Sequence, residues 1–132
     1  MDLTADELDA LPTAPDAGLA PLREQFLEAL ETLGEASRGV HQALDDAAAA
    51  FIVVREHVEQ AGNVSDFTGV IQPIPLRAAL TSSLSDLEKA RHRVQRLLFR
   101  LLYTEGKSMS EIARMWGISR QLVSRLLNEP DD

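Results

Sequence analysis

The chain has 132 residues, 45% of them hydrophobic, with 13 Lys and Arg against 21 Asp and Glu for a net charge of −8, and no cysteine. That is one domain's worth of chain with enough apolar content to exclude wholesale disorder, and it holds no disulfide, thiolate chemistry or cysteine-ligated metal, as fits a cytoplasmic protein. The longest apolar run, residues 47–54, falls far short of a membrane span, and no charged-then-apolar leader opens the chain, so neither secretion nor membrane insertion is expected.

Residues 1–18 are acidic and broken by Pro12 and Pro15, which predicts a flexible tail. A sharper alternative has this tail fold back on the basic end of the chain and compete with its ligand there. From Leu19 to Val58 an apolar heptad runs without a break through Leu19, Phe26, Leu33, Val40, Ala47 and Val54, with Leu22, Ala29, Ala36, Ala43 and Ala50 between them. This predicts one helix of roughly 60 Å at about 1.5 Å per residue. Gly34 and Gly39 lie off the stripe and mark either a bend or a break. The alanine column lets a partner helix approach closely, and the fully apolar run from Ala47 to Val54 implies more than one neighbour.

Residues 61–75 carry Gly62, Gly69, Pro73 and Pro75 and read as a connection. Phe67, Val70, Ile71 and Ile74 are too apolar for a solvated linker and are expected to cap the open end of a bundle, a partner contact or a small-molecule pocket being the alternatives. A second helix is expected from Leu76 to Tyr103, with a seam of Leu80, Leu84, Leu87, Val94, Leu98 and Leu101. Arg91 takes a seam position and should pair with an acid of the first helix or lie where the seam opens. Residues 1–88 hold 4 basic and 16 acidic side chains, a net −12, whereas residues 89–132 hold 9 and 5, a net +4. The basic charge therefore gathers at the C-terminal end, where it sets the local field.

Residues 109–128 meet each requirement for two short helices crossing at a steep angle over a tight turn. Ala113 is small where the helices cross, between Ile112 and Trp116, both expected to face the core. Gly117 supplies a residue free to adopt positive φ, Ile118 plugs the space beneath the turn, and the Ser119 hydroxyl can cap the second helix. Val123, Leu126 and Leu127 form its apolar stripe, leaving Arg120, Gln121, Ser124, Arg125 and Asn128 on the open face. Such side chains hydrogen-bond to base edges and phosphate oxygens.

The run Tyr103, Gly106, Ser108, Glu111, Ile112, Ala113, Gly117, Ile118 and Ser119 resembles the helix-turn-helix of bacterial transcription regulators, in the form shared by sigma-factor C-terminal domains and resolvase-type DNA-binding domains. The resemblance covers residues 91–128, about a third of the chain. It implies DNA binding and carries over no catalytic role, since no resolvase-like catalytic region accompanies it. His41, His57 and His92 are too far apart in sequence for a shared metal, no phosphate-cradling glycine loop occurs, and no nucleophile or acid-base pair can be assembled, so neither enzyme nor cofactor is expected.

The expected fold is thus all-α: an acidic tail over 1–18, a long helical hairpin for oligomerisation over 19–90, and a three-helix helix-turn-helix head over 91–132. An intrachain hairpin, a swapped dimer and a four-helix bundle fit the heptads equally. The expected function is sequence-specific binding of double-stranded DNA by a cytoplasmic, nucleoid-associated homodimer that regulates transcription. Arg120, Gln121 and Arg125 would read bases with help from Ser119, Ser124 and Asn128, while Lys107, Ser108, Ser110 and Arg114 would hold phosphates. Alternatives are a module that contacts RNA polymerase or another regulator, and an accessory protein of recombination or partition.

Overall fold

The computed structural model describes residues 13–130, so residues 1–12 of the expected tail lie outside it. Among the described residues there are four α-helices and no strand, and the fold class is all-α. Helix α1 spans Thr13–Glu59, α2 Pro73–Thr104, α3 Met109–Trp116 and α4 Arg120–Asn128, with a 3-10 turn at Val64–Gly69 between α1 and α2. No helix among the described residues is long and apolar enough to cross a membrane.

Helix α1 begins six residues ahead of the expected Leu19 and continues through Pro21, Gly34 and Gly39 without interruption. Each glycine costs about 1 kcal/mol relative to alanine, which the burial of a long apolar stripe outweighs. Ala29, Val40, Ala43 and Ala47 are buried and Ala36 and Ala50 half-buried, so the small residues do occupy the packed side of the helix. The helix ends at a left-handed residue, Ala61 at φ 65°, which lets the Gly62 N–H reach back to the His57 carbonyl at 3.0 Å. On α2 the buried apolar positions are Ala90, Leu97, Phe99 and Leu101, with Arg96 buried among them and Ser83, Leu87 and Val94 half-buried. The packed line thus runs one residue N-terminal to the expected Leu84 and Arg91. Ala90 takes the seam, and Arg91 is exposed and pairs with Glu88 of its own helix at 2.6 Å, not with α1. An alanine there admits close approach without desolvating a charge.

The chain divides into two compact units, one of α1 through Glu31 together with the chain from His92 onward, the other Thr32–Arg91. In the second unit, Ala47, Phe51 and Val54 of α1 line one cleft with Ile71, Leu76 and Leu80. Of the apolar run 47–54, Phe51, Ile52 and Val53 are exposed. In the first unit, Phe26 and Leu27 of α1 line a cleft with Leu98, Leu101 and Leu102 of α2. Its core is Phe99, Ile112, Ala113, Val123 and Leu126, with Leu102, Met109, Ile118, Leu122 and Leu127 packed against it. Each of α2, α3 and α4 therefore contributes side chains to a single cluster.

Candidate nucleic-acid interface

Two serines and two glycines set the path of residues 104–128. Helix α2 terminates through Gly106, at φ 107°, where the Lys107 N–H reaches the Leu102 carbonyl at 2.9 Å. Ser108 then caps α3: its Oγ accepts from the Glu111 N–H at 3.1 Å, and its hydroxyl donates to Glu111 Oε1 at 3.2 Å. At the other end of α3, Gly117 takes the left-handed conformation at φ 65°, ψ 34°, and the Ile118 N–H bonds the Ala113 carbonyl at 3.1 Å. Ser119 begins α4, with its Oγ accepting from the Leu122 N–H at 3.1 Å.

Open space surrounds the position a Cβ on Gly117 would take, so Gly117→Ala meets only the backbone penalty of a left-handed L-residue. That variant is expected to lose about 1–2 kcal/mol in urea unfolding, and an unchanged midpoint would contradict the turn's dependence on glycine.

With Val123 and Leu126 buried in the core, residues 121, 124, 125 and 128 recur on the opposite side of α4 at the i, i+3, i+4, i+7 spacing of one helix face. Gln121, Arg125 and Asn128 are exposed and Ser124 is half-buried, while Arg120 is exposed on the flank of this face. Asn128 is partly committed: its Nδ2 donates to the Ser124 carbonyl at 2.8 Å. Ser124 and Asn128 also line a cleft with Arg100, Tyr103 and Thr104 of α2.

Around the start of α3, Lys107 lies 3.8 Å from Glu111, Ser110 is exposed, and Ser108 spends its hydroxyl on the cap. Arg114 is exposed and makes no salt bridge among the described residues, as is true of Arg120. Of the residues named from sequence, Arg114, Arg120 and Gln121 therefore present free polar ends, Arg125 one whose charge also acts on Glu129, Lys107 a loosely paired one, and Ser108 and Ser119 shape the helices that carry them.

Trp116 departs from its expected core position. It is 46% exposed and meets Phe99 edge-on at 5.6 Å between ring centroids. The place beside Ile112 belongs to Phe99, which the heptad reading passed over. Nor is the C-terminal basic charge all available to a partner. His92, Arg96 and Arg100, spaced four apart on α2, converge on the residues that follow α4. The His92 Nε2–H lies 2.9 Å from both Glu129 carboxylate oxygens, Arg96 Nη1 is 3.5 Å from Glu129 Oε1 and 3.2 Å from the Pro130 carbonyl, and Arg100 Nη2 donates to the Glu129 carbonyl. The His92 hydrogen bond is the first cause that holds the Glu129 carboxyl below the ordinary glutamate range, against some desolvation and aided by the charges of His92, Arg96 and Arg125. This clasp fixes the exit of α4.

Compared with known protein families, curated proteins and solved structures, the chain matches none.

Proposed function

We propose that the chain is a sequence-specific DNA-binding protein, with α3, the Gly117 turn and α4 acting as a helix-turn-helix and α4 entering the major groove. The observation that carries this reading is the open face of α4, where Gln121, Arg125 and Asn128 stand opposite buried Val123 and Leu126. Gln offers a bidentate match to adenine and Arg to guanine, and the uncommitted Arg114 and Arg120 flank them as phosphate contacts. The backbone N–H groups of the first turn of α3 are a further phosphate site beside Lys107.

In this reading the long helices form a hairpin that joins two copies of a cytoplasmic, nucleoid-associated transcription regulator. A helix that is apolar all round is ordinarily buried on every side, and the exposed Ile52 and Val53 call for a neighbour besides α2. A two-fold dimer reading adjacent major grooves would hold its two α4 helices about 34 Å apart.

Selection of bound sequences from a random DNA pool tests the reading directly. Two enriched half-sites at a fixed spacing are expected, whereas no enrichment, with weak binding that moderate salt abolishes, would refute it. On the selected site Gln121→Ala should cost about 1–3 kcal/mol and relax sequence preference, while Lys107→Ala should weaken all sequences alike and reduce the salt slope by about one. Equal losses on selected and scrambled DNA for Gln121→Ala would remove its assigned role.

A second reading has the head contact RNA polymerase or another regulator. It draws on Met115, Trp116 and Tyr103, large side chains left exposed at the end of α3 and of α2, of the kind that anchor protein interfaces. Polymerase capture without DNA enrichment would favour it, and capture lost in Trp116→Ala would locate it.

A further inference from the structure

The unit Thr32–Arg91 holds a concave surface that DNA contact leaves unused. Arg77, in the second turn of α2, stands between two clefts of opposite character. One, of about 450 Å³, is walled by Phe51 and Val54 of α1, Ile71 of the connection, and Leu76 and Leu80 of α2, with Arg77 its sole charged member. The other, of about 590 Å³, lies on the far side of Arg77 and presents the hydroxyls of Thr81, Ser82 and Ser85. The helical turn explains this split. Residues 76 and 80 lie to one side of position 77, and residues 78, 81 and 82 to the other.

Arg77 is exposed and makes no hydrogen bond or ion pair with any described residue. Both clefts fall in the size range of small-molecule sites, and the first has their composition, mostly apolar walls with one polar group. Phe51 is 60% exposed, so the lining stays wetted until something apolar covers it.

We propose that this surface binds an amphipathic monocarboxylate. The apolar body lies between Phe51 and Leu80, the carboxylate accepts two parallel N–H hydrogen bonds from the Arg77 guanidinium, and any further polar group faces Thr81 and Ser82. A single guanidinium in an otherwise uncharged lining selects one anionic group, and its planar fork matches a carboxylate. The unit's other charges do not contribute a second cation to either lining, so a dianion would leave one charge unmatched.

Calorimetric titration of the full chain with decanoate, and separately with decanol, tests the proposal without DNA, so its result stands apart from the fate of the DNA-binding reading. Saturable decanoate binding is expected, with amide shifts at Phe51, Ile71 and Leu80. Arg77→Gln should weaken decanoate about tenfold while leaving decanol unchanged. Leu80→Trp, which fills the apolar cleft, should abolish both, and helix content and urea midpoints would verify that each variant is folded. Three results overturn the proposal: no saturable binding below the micelle-forming concentration of decanoate, equal losses for decanoate and decanol in Arg77→Gln, or a solution dimer that shields Phe51 and is dispersed by Phe51→Glu. In the last case a second copy of the chain covers the cleft.

Discussion

Phe99→Ala is expected to destabilise the unit that contains α3 and α4 by about 3–5 kcal/mol, a large part of the roughly 5–15 kcal/mol that holds a domain folded. Phe99 is fully buried in the cluster of Ile112, Ala113, Val123 and Leu126, so it touches the side chains that seat both short helices. Truncation removes the transfer energy of the ring, opens a cavity that helices fixed by two capped turns cannot easily close, and deletes the edge-on pair with Trp116. Phe99→Leu keeps most of the volume and should lose only the aromatic pair and some packing, about 1–2 kcal/mol. Trp116 is the sole tryptophan of the chain, and its ring reports on this contact, so urea unfolding followed by its fluorescence measures both variants. A loss below about 1 kcal/mol for Phe99→Ala would mean that α3 and α4 are held by something other than this cluster. In the DNA-binding reading, Phe99→Ala should also abolish site recognition although Phe99 is remote from the open face of α4.

The contrast between Phe99 and the turn shows which parts of the molecule a single sequence can yield. Ala113, Gly117 and Ser119 were legible because their tasks are local. A helix stop needing positive φ and a hydroxyl cap two residues later are set by neighbours within one turn of chain. Phe99 escaped because a heptad describes one seam, whereas the end of α2 is covered on more than one side and buries a residue between the seam positions as well, and Leu97 escaped because the seam runs one residue before the expected Leu98. The same cause displaced the seam from Arg91 to Ala90. A one-residue shift trades a charge for a methyl group at position 90 but a leucine for a serine at position 83, and the apolar pattern alone does not choose between the two registers. Trp116 was misplaced because hydrophobicity does not distinguish a ring that lies inside the core from one that covers its rim.

The clasp around Glu129 was beyond a linear reading, since His92 and Arg96 meet it across 37 and 33 positions of chain. Summed charge over residues 89–132 counted these cations as available for phosphate, although Arg96 is 4% exposed and serves the fold. Exposed Arg114, Arg120 and Arg125 are the better measure of the field that a nucleic acid would meet.

Arg96→Ala is accordingly expected to cost about 2–4 kcal/mol, in contrast to the few tenths expected for an exposed arginine of the same helix. Its side chain is buried along its stem, and its guanidinium joins α2 to both Glu129 and the Pro130 carbonyl. The loss should stay below that of a fully enclosed ion pair, because Glu129 keeps its hydrogen bond from His92 and part of its contact with water. Arg96→Met separates the two contributions. It restores the apolar stem without the charge, so recovery of most of the stability would assign Arg96 to packing, and little recovery would assign it to the clasp. The carboxylate supplies an independent check through pH. A glutamate held below its ordinary range contributes stability that is present above its unfolded pKa of about 4.3 and is lost as pH falls through the lower folded value. The urea midpoint of the parent chain should therefore exceed that of Glu129→Gln at neutral pH, and the two should draw together as pH falls below the ordinary glutamate range and meet once it is below the lowered folded value. Parallel midpoints at every pH would show that the clasp does not couple to folding, and Arg96 would then act through its stem alone.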